Sequence, residues 1–365
     1  MSTSWQKKHL GDIAKISSGK MISSKEISDT YSKGLYPCYG GNGLRGYVKN
    51  YLYNGQYPII GRVGALCGNV HLTNGPFFPT EHALVVSIKT NDDPRFIEYL
   101  LKSMNLNQYA KGVAQPVLSA STISELSAYF PPISEQKDIV AELDLLSGII
   151  EKKNAQLRTL DELASTLFYE MFGNPVLNDN AWASEKMKDI APQKAYSGHI
   201  PTNNGMQWLL NLDMVESKTG KIIEKVLFSS ADIGNSTTTF NEDNILYSKL
   251  RPYLNKVVIP DEPGYCTSEL VPLLPKKGVI NRIFLAYLLR SKFFVDYINT
   301  RVAGAKMPRV TMSDFWGFDI IIPPLKLQES FAEKISAIEK QKSLIRTSLS
   351  PAENLLAARM DKYFC

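Results

Sequence analysis

A long amphipathic segment occurs twice in this chain, and the duplication limits the folds that are open to it. From Ser134 to Phe172, apolar residues recur at alternating intervals of four and three, the heptad pattern of a coiled-coil helix, with one polar interruption at Lys153. A shift of 192 residues carries the pattern onto the C-terminal segment in the same register, taking Ile139 onto Phe331. A single copy is also typical of a helix buried in an ordinary core. Two copies in one register predict two long helices that pack against each other.

Residues that start and stop helices mark the ends of both copies. Ser134 follows a Pro-Pro pair and is a suitable N-cap, and Gly173-Asn174-Pro175 supplies a stop. A second Pro-Pro pair precedes the second copy. Inside that copy, Ser350-Pro351-Ala352-Glu353 places a proline within the helix, which predicts a kink or a restart from a new capping box. We expect a central long helix at 134–172 and a C-terminal long helix at 326–365.

The globular segments before the two helices also resemble each other. Trp5 and Asp12-Ile13-Ala14 correspond to Trp182 and Asp189-Ile190-Ala191 at a shift of 177 residues, and the shift grows to 187 for the correspondence of Arg62 with Lys249. A growing shift is expected when loops differ in length between two copies. Each unit of the repeat is therefore a globular segment followed by a long helix.

Short apolar runs bounded by Gly, Pro and Asn predict strands in both segments, and later runs predict short helices at 95–103 and 283–291. We therefore predict an α+β fold with two similar globular domains, at 1–133 and 173–325, separated by an antiparallel pair of long coiled-coil helices.

Composition excludes several classes of protein. With 44% hydrophobic and 21% charged residues, the chain can bury a core and is not disordered. The N-terminal residues lack the apolar stretch of a signal peptide, and no run approaches the roughly 18 apolar residues of a membrane span. The four cysteines contain no CxxC pair, which is typical of a reducing compartment. We expect a cytoplasmic protein without a membrane partner.

Motifs for enzyme chemistry are mostly missing. The segment Gly41–Gly46 satisfies GxGxxG, but no predicted strand precedes it, no predicted helix follows it, and no acidic residue lies at the ribose position. The four histidines have no metal-ligand spacing. We predict no catalytic residue, no metal site and no cofactor on this chain.

Several segments resemble the specificity subunit of type I restriction–modification systems. The segments that carry the resemblance are YPCYGGNGLRGY (Tyr36–Tyr47), IIGRVGALCGNV (Ile59–Val70), FPTEHALVV (Phe78–Val86), NILYSKLRPYLNKV (Asn244–Val257), YCTSELV (Tyr265–Val271), and PPISEQ and PPLKLQ at the starts of the long helices.

The resemblance implies that the two globular domains are target-recognition domains and that the chain is a non-catalytic DNA-recognition subunit. It implies double-stranded DNA and two methyltransferase (modification) subunits as partners, with a translocating restriction subunit as a further candidate. These partners would methylate adenine or cleave the DNA. S-adenosylmethionine and ATP would then be bound by the partner subunits and not by this chain.

The length of the helices gives a physical expectation for the DNA target. A helix of about 37 residues is roughly 55 Å long, comparable to about sixteen base pairs. Two similar domains held by an antiparallel helix pair would each recognise a short half-site, so the target would be bipartite with an unread gap.

Basic residues in glycine-rich or irregular stretches are candidates for phosphate contacts, and side-chain amides are candidates for contacts with adenine. The net charge of +5 supports a nucleic-acid partner weakly. For any single residue, a solvated surface charge is the alternative. The candidates are Lys20, Asn42, Arg45, Lys49, Arg62, Lys111 and Gln115 in the first domain, and Lys194, Lys249, Arg251, Lys306 and Arg309 in the second.

Two hypotheses from other classes compete with this one. A methyltransferase or nuclease with its own recognition domains would need a cofactor loop and a catalytic tetrapeptide, and neither occurs in the sequence. A coiled-coil scaffold that binds only proteins would not need the basic excess of the globular segments. Salt-dependent binding to duplex DNA distinguishes these possibilities.

Overall fold

The computed structural model describes residues 5–112, 115–229, 233–234 and 236–365. Its internal contacts divide the chain into two units. Unit 1 consists of Met1–Lys153 and Thr347–Cys365, and unit 2 consists of Asn154–Arg346. Each unit therefore contains one globular domain and a part of each long helix. The first four residues of the predicted first domain lie outside the described ranges.

The first domain contains ten strands and three α-helices within its described residues, and the first long helix follows it. These elements are β1 (Gln6–His9), α1 (Leu10–Ile13), β2 (Ala14–Ser18), β3 (Tyr36–Gly40), β4 (Gly43–Val48), β5 (Tyr53–Asn54), β6 (Pro58–Gly61), β7 (Val70–Leu72), β8 (Pro76–Pro79), β9 (Ala83–Ile88), α2 (Pro94–Ser103), α3 (Ala120–Glu125), β10 (Ser127–Phe130) and the long helix α4 (Ile133–Phe172).

The second domain repeats the pattern, and the second long helix follows it. The elements are β11 (Ala183–Lys186), α5 (Met187–Ile190), β12 (Met206–Leu210), β13 (Leu227–Ser229), β14 (Thr237–Phe240), β15 (Ile245–Ser248), β16 (Val257–Val258), β17 (Gly264–Thr267), β18 (Leu270–Leu273), α6 (Arg282–Arg290), α7 (Lys292–Asn299), β19 (Val302–Ala303), β20 (Arg309–Val310), α8 (Met312–Gly317), β21 (Asp319–Ile322) and the long helix α9 (Leu325–Phe364).

The sheets of the two domains correspond. In the first domain, the strand orders are β2-β9-β6-β7 and β4-β3-β8-β5, and β1 pairs with β10. In the second domain, they are β16-β15-β18 and β13-β12-β17-β14, and β11 pairs with β21. One sheet of each domain contains a parallel pair, β3 with β8 and β12 with β17. The predicted α+β fold and its duplication are confirmed.

The long helices begin one residue earlier than predicted, at Ile133 and at Leu325. In both cases the second proline of the Pro-Pro pair occupies the N-cap position, and its carbonyl accepts the first hydrogen bond of the helix. The carbonyl of Pro132 already accepts from the N–H of Gln136 at 3.0 Å. Ser134 therefore lies in the first turn and is not the cap.

Helix α9 continues through Pro351 without a break, so the predicted restart is wrong. Proline removes one N–H donor from the helix interior, at a cost of about 3 kcal/mol. Packing of the residues on either side of Pro351 outweighs this single loss, since Ile338 and Leu356 both contact the cores of their units.

The helix segments run antiparallel within each unit. In unit 1, Glu142 accepts a hydrogen bond from Tyr363, and the ammonium of Lys153 donates to Ser348 at 2.7 Å. Moving forward along α4 therefore means moving backward along α9. In unit 2, Asp161 pairs with Lys342 at 2.7 Å. Phe172, further along α4, stacks edge-on against Phe331, nearer the start of α9. The predicted antiparallel pairing is confirmed inside both units.

A buried glutamine fixes the start of each long helix to its domain. The carbonyl oxygen of Gln136 accepts from the N–H of Asp93, the N-cap of α2, and that of Gln328 accepts from the N–H of Asn281, the N-cap of α6. Both glutamines donate to the carbonyl of the first proline of the Pro-Pro pair, Pro131 or Pro323. Each glutamine thereby satisfies backbone groups that would otherwise be buried without partners.

In the described ranges, no helix combines the length and the apolar composition needed to span a membrane.

Candidate nucleic-acid interface

Three loops of the first domain are held together by backbone hydrogen bonds at the end of β6. The N–H of Arg62 donates to the carbonyl of His82 at 2.9 Å, and the carbonyl of Arg62 accepts from Leu118 at 2.8 Å. Two residues further on, the N–H of Gly64 donates to Pro116 at 3.0 Å. We call residues 62–64, 82 and 116–118 the three-loop frame of the first domain.

The second domain has the same frame at the end of β15. The N–H of Lys249 donates to Glu269 at 3.1 Å, and its carbonyl accepts from Val310 at 2.8 Å. The N–H of Arg251 donates to Pro308 at 2.7 Å. Residues 249–251, 269 and 308–310 are the three-loop frame of the second domain. The repeat deduced from the sequence thus extends to individual backbone bonds, which makes the side chains at matching positions directly comparable.

In the first domain, the frame borders a cavity of about 580 Å³. Three predicted DNA contacts, Asn42, Arg45 and Gln115, line this cavity together with His82. Gly40, Gly41 and Gly43 also line it, and Gly41 packs so closely on β6 that a Cβ on Gly61 would lie 2.1 Å from the carbonyl oxygen of Gly41. Exposed amide and cationic groups beside glycines are suited to close contact with a base edge or a phosphate.

The remaining candidates of the first domain lie at different distances from this cavity. Lys111 shares a β-bridge with Val117 of the frame, and Lys20 donates its backbone N–H to Pro79, close to His82 in the chain. Arg62 is partly structural, since its guanidinium donates to the hydroxyl of Ser18 at 3.3 Å and to the carbonyl of Glu81 at 3.4 Å. Lys49 comes directly after β4. The first residues of β4 line the cavity, so Lys49 lies at the opposite end of the strand.

In the second domain, Lys249, Arg251 and Arg309 belong to the frame, and Lys306 lies in the loop between β19 and β20. The guanidinium of Arg309 is paired with the carboxylate of Glu269 at 2.9 Å, and the hydrogen bond to Glu269 raises the pKa of Arg309. Lys194 is remote from the frame, because its N–H donates to Pro272 near the far end of β18.

Two residues at frame positions were missed by sequence reasoning, which considered only basic and amide side chains. His82 lines the cavity, and its Nε2 lies 3.3 Å from the carboxylate of Glu81. Glu269 holds Arg309. The shift of 187 residues that pairs Thr80 with Thr267 also pairs His82 with Glu269, so the repeat itself contained the signal.

Among the residues that the structure describes, His, Cys, Asp and Glu form no group of three or more that is placed to hold a metal ion. The candidate side chains of both frames offer hydrogen-bond donors, hydrogen-bond acceptors and positive charge.

Comparison with known proteins gives a consistent result. The family model described as "Type I restriction modification DNA specificity domain" matches residues 3–159 and 213–353. The specificity subunit of the type I restriction enzyme EcoprrI from Escherichia coli is 44% identical over 140 residues, which are 38% of this chain and 35% of that protein. The match therefore spans about a third of that relative.

Two further relatives match over nearly the whole chain. The specificity subunit of EcoDI from Escherichia coli is 22% identical over 99% of this chain and 88% of its own length. The crystal structure of a type I restriction–modification S subunit from M. genitalium superposes with a TM-score of 0.63 at 16% identity, covering 99% of this chain and 96% of that chain. At this identity, the structural similarity establishes a shared fold.

Proposed function

Since this chain belongs to the family of type I restriction–modification DNA specificity domains, we propose that it is the subunit that recognises the DNA target of such a complex. It binds double-stranded DNA at a bipartite target with an unread gap. It directs two modification subunits to methylate adenine, and a restriction subunit, where present, to cleave. The complex acts in the cytoplasm.

The duplicated three-loop frame carries this proposal. The same backbone bonds hold Arg62 in one domain and Lys249 in the other, but the side chains around them differ. Two copies of one binding surface with different side chains are suited to two different half-sites. Side chains that reach base edges read the sequence, whereas contacts with the phosphate backbone of the DNA carry no sequence information. A scaffold that binds only proteins would not need basic residues, Arg62 and Lys249, at the matching positions of the two frames.

The long helices supply the second part of the proposal. Helices α4 and α9 are each 40 residues long, or about 60 Å. We propose that they set the length of the unread gap and present a surface to the modification subunits. S-adenosylmethionine and ATP are bound by those partners, and this chain binds no cofactor of its own.

The proposal is tested by measuring DNA binding and methylation separately. The purified chain with its modification subunits should bind duplex DNA with an affinity that falls as salt rises, because binding to phosphates releases counterions. The chain alone should transfer no methyl group from S-adenosylmethionine, and adding the modification subunits should produce adenine methylation. Methyl transfer by the chain alone would refute the proposal. A complex that forms with the modification subunits but does not bind duplex DNA would refute it as well.

A further inference from the structure

The ion pair of Arg309 and Glu269 is the feature of the second frame that the first frame lacks. The positions that correspond to Glu269 and Arg309 in the first domain are His82 and Val117. His82 is paired with its chain neighbour Glu81, and the apolar side chain of Val117 cannot form an ion pair. The backbone is thus the same in both domains, while the pair of opposite charges occurs in the second frame.

The geometry of the pair leaves part of the guanidinium available. Nε and Nη2 of Arg309 face the carboxylate of Glu269, at 3.3 and 2.9 Å from Oε1. A guanidinium has five N–H donors in a rigid fork, so the Nη1–Nη2 edge can still donate to a second partner. The Arg309 side chain is 51% exposed and that of Glu269 is 24% exposed. The pair is therefore ordered and accessible at the same time.

Stability alone does not account for this pair. An exposed ion pair contributes little to stability, because solvent screens the charges and two side chains lose rotamer freedom. Lys249 and Arg251 belong to the same frame, and the backbone carbonyl of Glu269 accepts from the N–H of Lys249, so the carboxylate of Glu269 lowers the net positive charge that the frame offers to phosphate. An acidic residue in a frame whose other charged residues are basic is more consistent with recognition of a hydrogen-bond donor on the ligand.

We propose that Arg309 and Glu269 together recognise one G·C base pair in the half-site of the second domain. In the major groove, guanine presents two acceptors, N7 and O6, and cytosine presents one donor, the N4 amine. Arg309 donates from its Nη1–Nη2 edge to guanine, and Glu269 accepts from the cytosine amine. The contact between the two side chains holds both in the orientation that the two bases of one pair require. This inference rests on the proposed function and adds the identity of the base pair and of the residues that select it.

The test is a selection from a randomised duplex library with the full chain bound to its modification subunits. The variants are E269Q, R309Q and R309K. Each of the first two should relax the preference for G·C by about tenfold or more, at the same single position of the same half-site. R309K keeps the charge and loses the fork, so it should relax the same position and leave the salt dependence of binding unchanged.

Matched controls come from an ion pair elsewhere on the same unit. Asp243 and Lys277 are 3.3 Å apart on exposed side chains. The variants D243N and K277Q make the same changes of charge and should leave the selected motif intact. Melting temperatures of all variants close to that of the unchanged chain establish that folding is retained.

Two results would overturn the inference while leaving the proposed function in place. In one, the variants select the same motif as the unchanged chain. In the other, they weaken binding to all sequences alike, which would assign the pair to phosphate contact or loop order. If the unchanged chain selects no motif at all, the proposed function fails and this inference fails with it.

Discussion

Arg251 has a backbone conformation that is unfavourable for arginine. Its φ is +49°, in the left-handed region, and the matching residue of the first frame is Gly64 with φ +93°. The left-handed region costs a residue with a side chain roughly 1–2 kcal/mol, and glycine avoids this cost. The second domain therefore has an arginine at a position where glycine would be more stable, which is expected where the side chain has a function.

The variant R251G should weaken DNA binding without destabilising the fold. Loss of one phosphate contact should reduce the slope of log affinity against log salt by about one. Relief of the left-handed strain should leave the free energy of unfolding unchanged or raise it by up to about 1 kcal/mol.

The variant R251A is the matched control for R251G. It should weaken binding to the same extent without the gain in stability, since alanine retains the strain. Equal DNA affinity of R251G and the unchanged chain in a titration at several salt concentrations would remove Arg251 from the interface.

Cysteine reactivity provides a second test at this scale. Burial raises the pKa of Cys38 to about 11 and that of Cys266 to about 12, and it also raises the pKa of Cys67. The thiolate is the reactive form, so these thiols should be inert at neutral pH. Cys365 is exposed. One cysteine should therefore react with a thiol reagent in the native protein, and all four should react after denaturation, as counted by mass spectrometry. Rapid labelling of Cys38 in the native state would contradict the packing of β3.

At the residue scale, the sequence indicated three candidate DNA contacts that lie together in the fold. It identified Asn42, Arg45 and Gln115, which the fold brings to one cavity, because polar and basic residues in a glycine-rich stretch are visible in the sequence alone. The sequence could not show that Lys49 and Lys194 lie away from the frames, because an exposed lysine near a frame and one remote from it look the same in the sequence. The pairing of Arg309 with Glu269 joins residues 40 apart in the chain, which periodicity does not detect.

Among the elements, the long helices were the most predictable and the strands the least. The heptad pattern located both helices to within one residue. None of the residues at core heptad positions in the two long helices, from Ile139 to Tyr363, is exposed. Strands of two to six residues with irregular loops between them give little periodic signal, so the topology of the sheets was beyond prediction.

Leu157 is half-buried, and truncating it should therefore cost less than the 2–5 kcal/mol typical of a fully buried leucine.

The variant F331A tests the packing of the helices in unit 2. Phe331 is completely buried, with ring centroids 5.7 Å from Phe168 and 5.3 Å from Phe172. Removing the ring should lower the free energy of unfolding by about 3–5 kcal/mol. Leu344 on the same helix is 64% exposed, so L344A should change it by less than about 0.5 kcal/mol. Chemical denaturation of both variants measures the two changes in the free energy of unfolding. Equal changes would contradict the packing of Phe331 between the two long helices.

At the scale of the whole molecule, the gap between half-sites should depend on the helices. Four residues inserted after Lys153 and four after Arg346 add about one turn, or roughly 6 Å, to each helix. This is close to two base pairs at about 3.4 Å each. The bases selected should stay the same while the unread gap lengthens by one or two positions. A changed set of bases with an unchanged gap would assign the helices to partner binding alone.

We propose that one chain recognises two half-sites through two copies of one frame. The most direct measurement maps methylated adenines on a randomised duplex library, with the chain and its modification subunits present. We expect two short specified sequences separated by a constant unread gap. We further expect that E269Q alters one half-site and that a substitution at His82 alters the other. A single continuous motif, or substitutions in either domain that alter both half-sites together, would contradict the proposal.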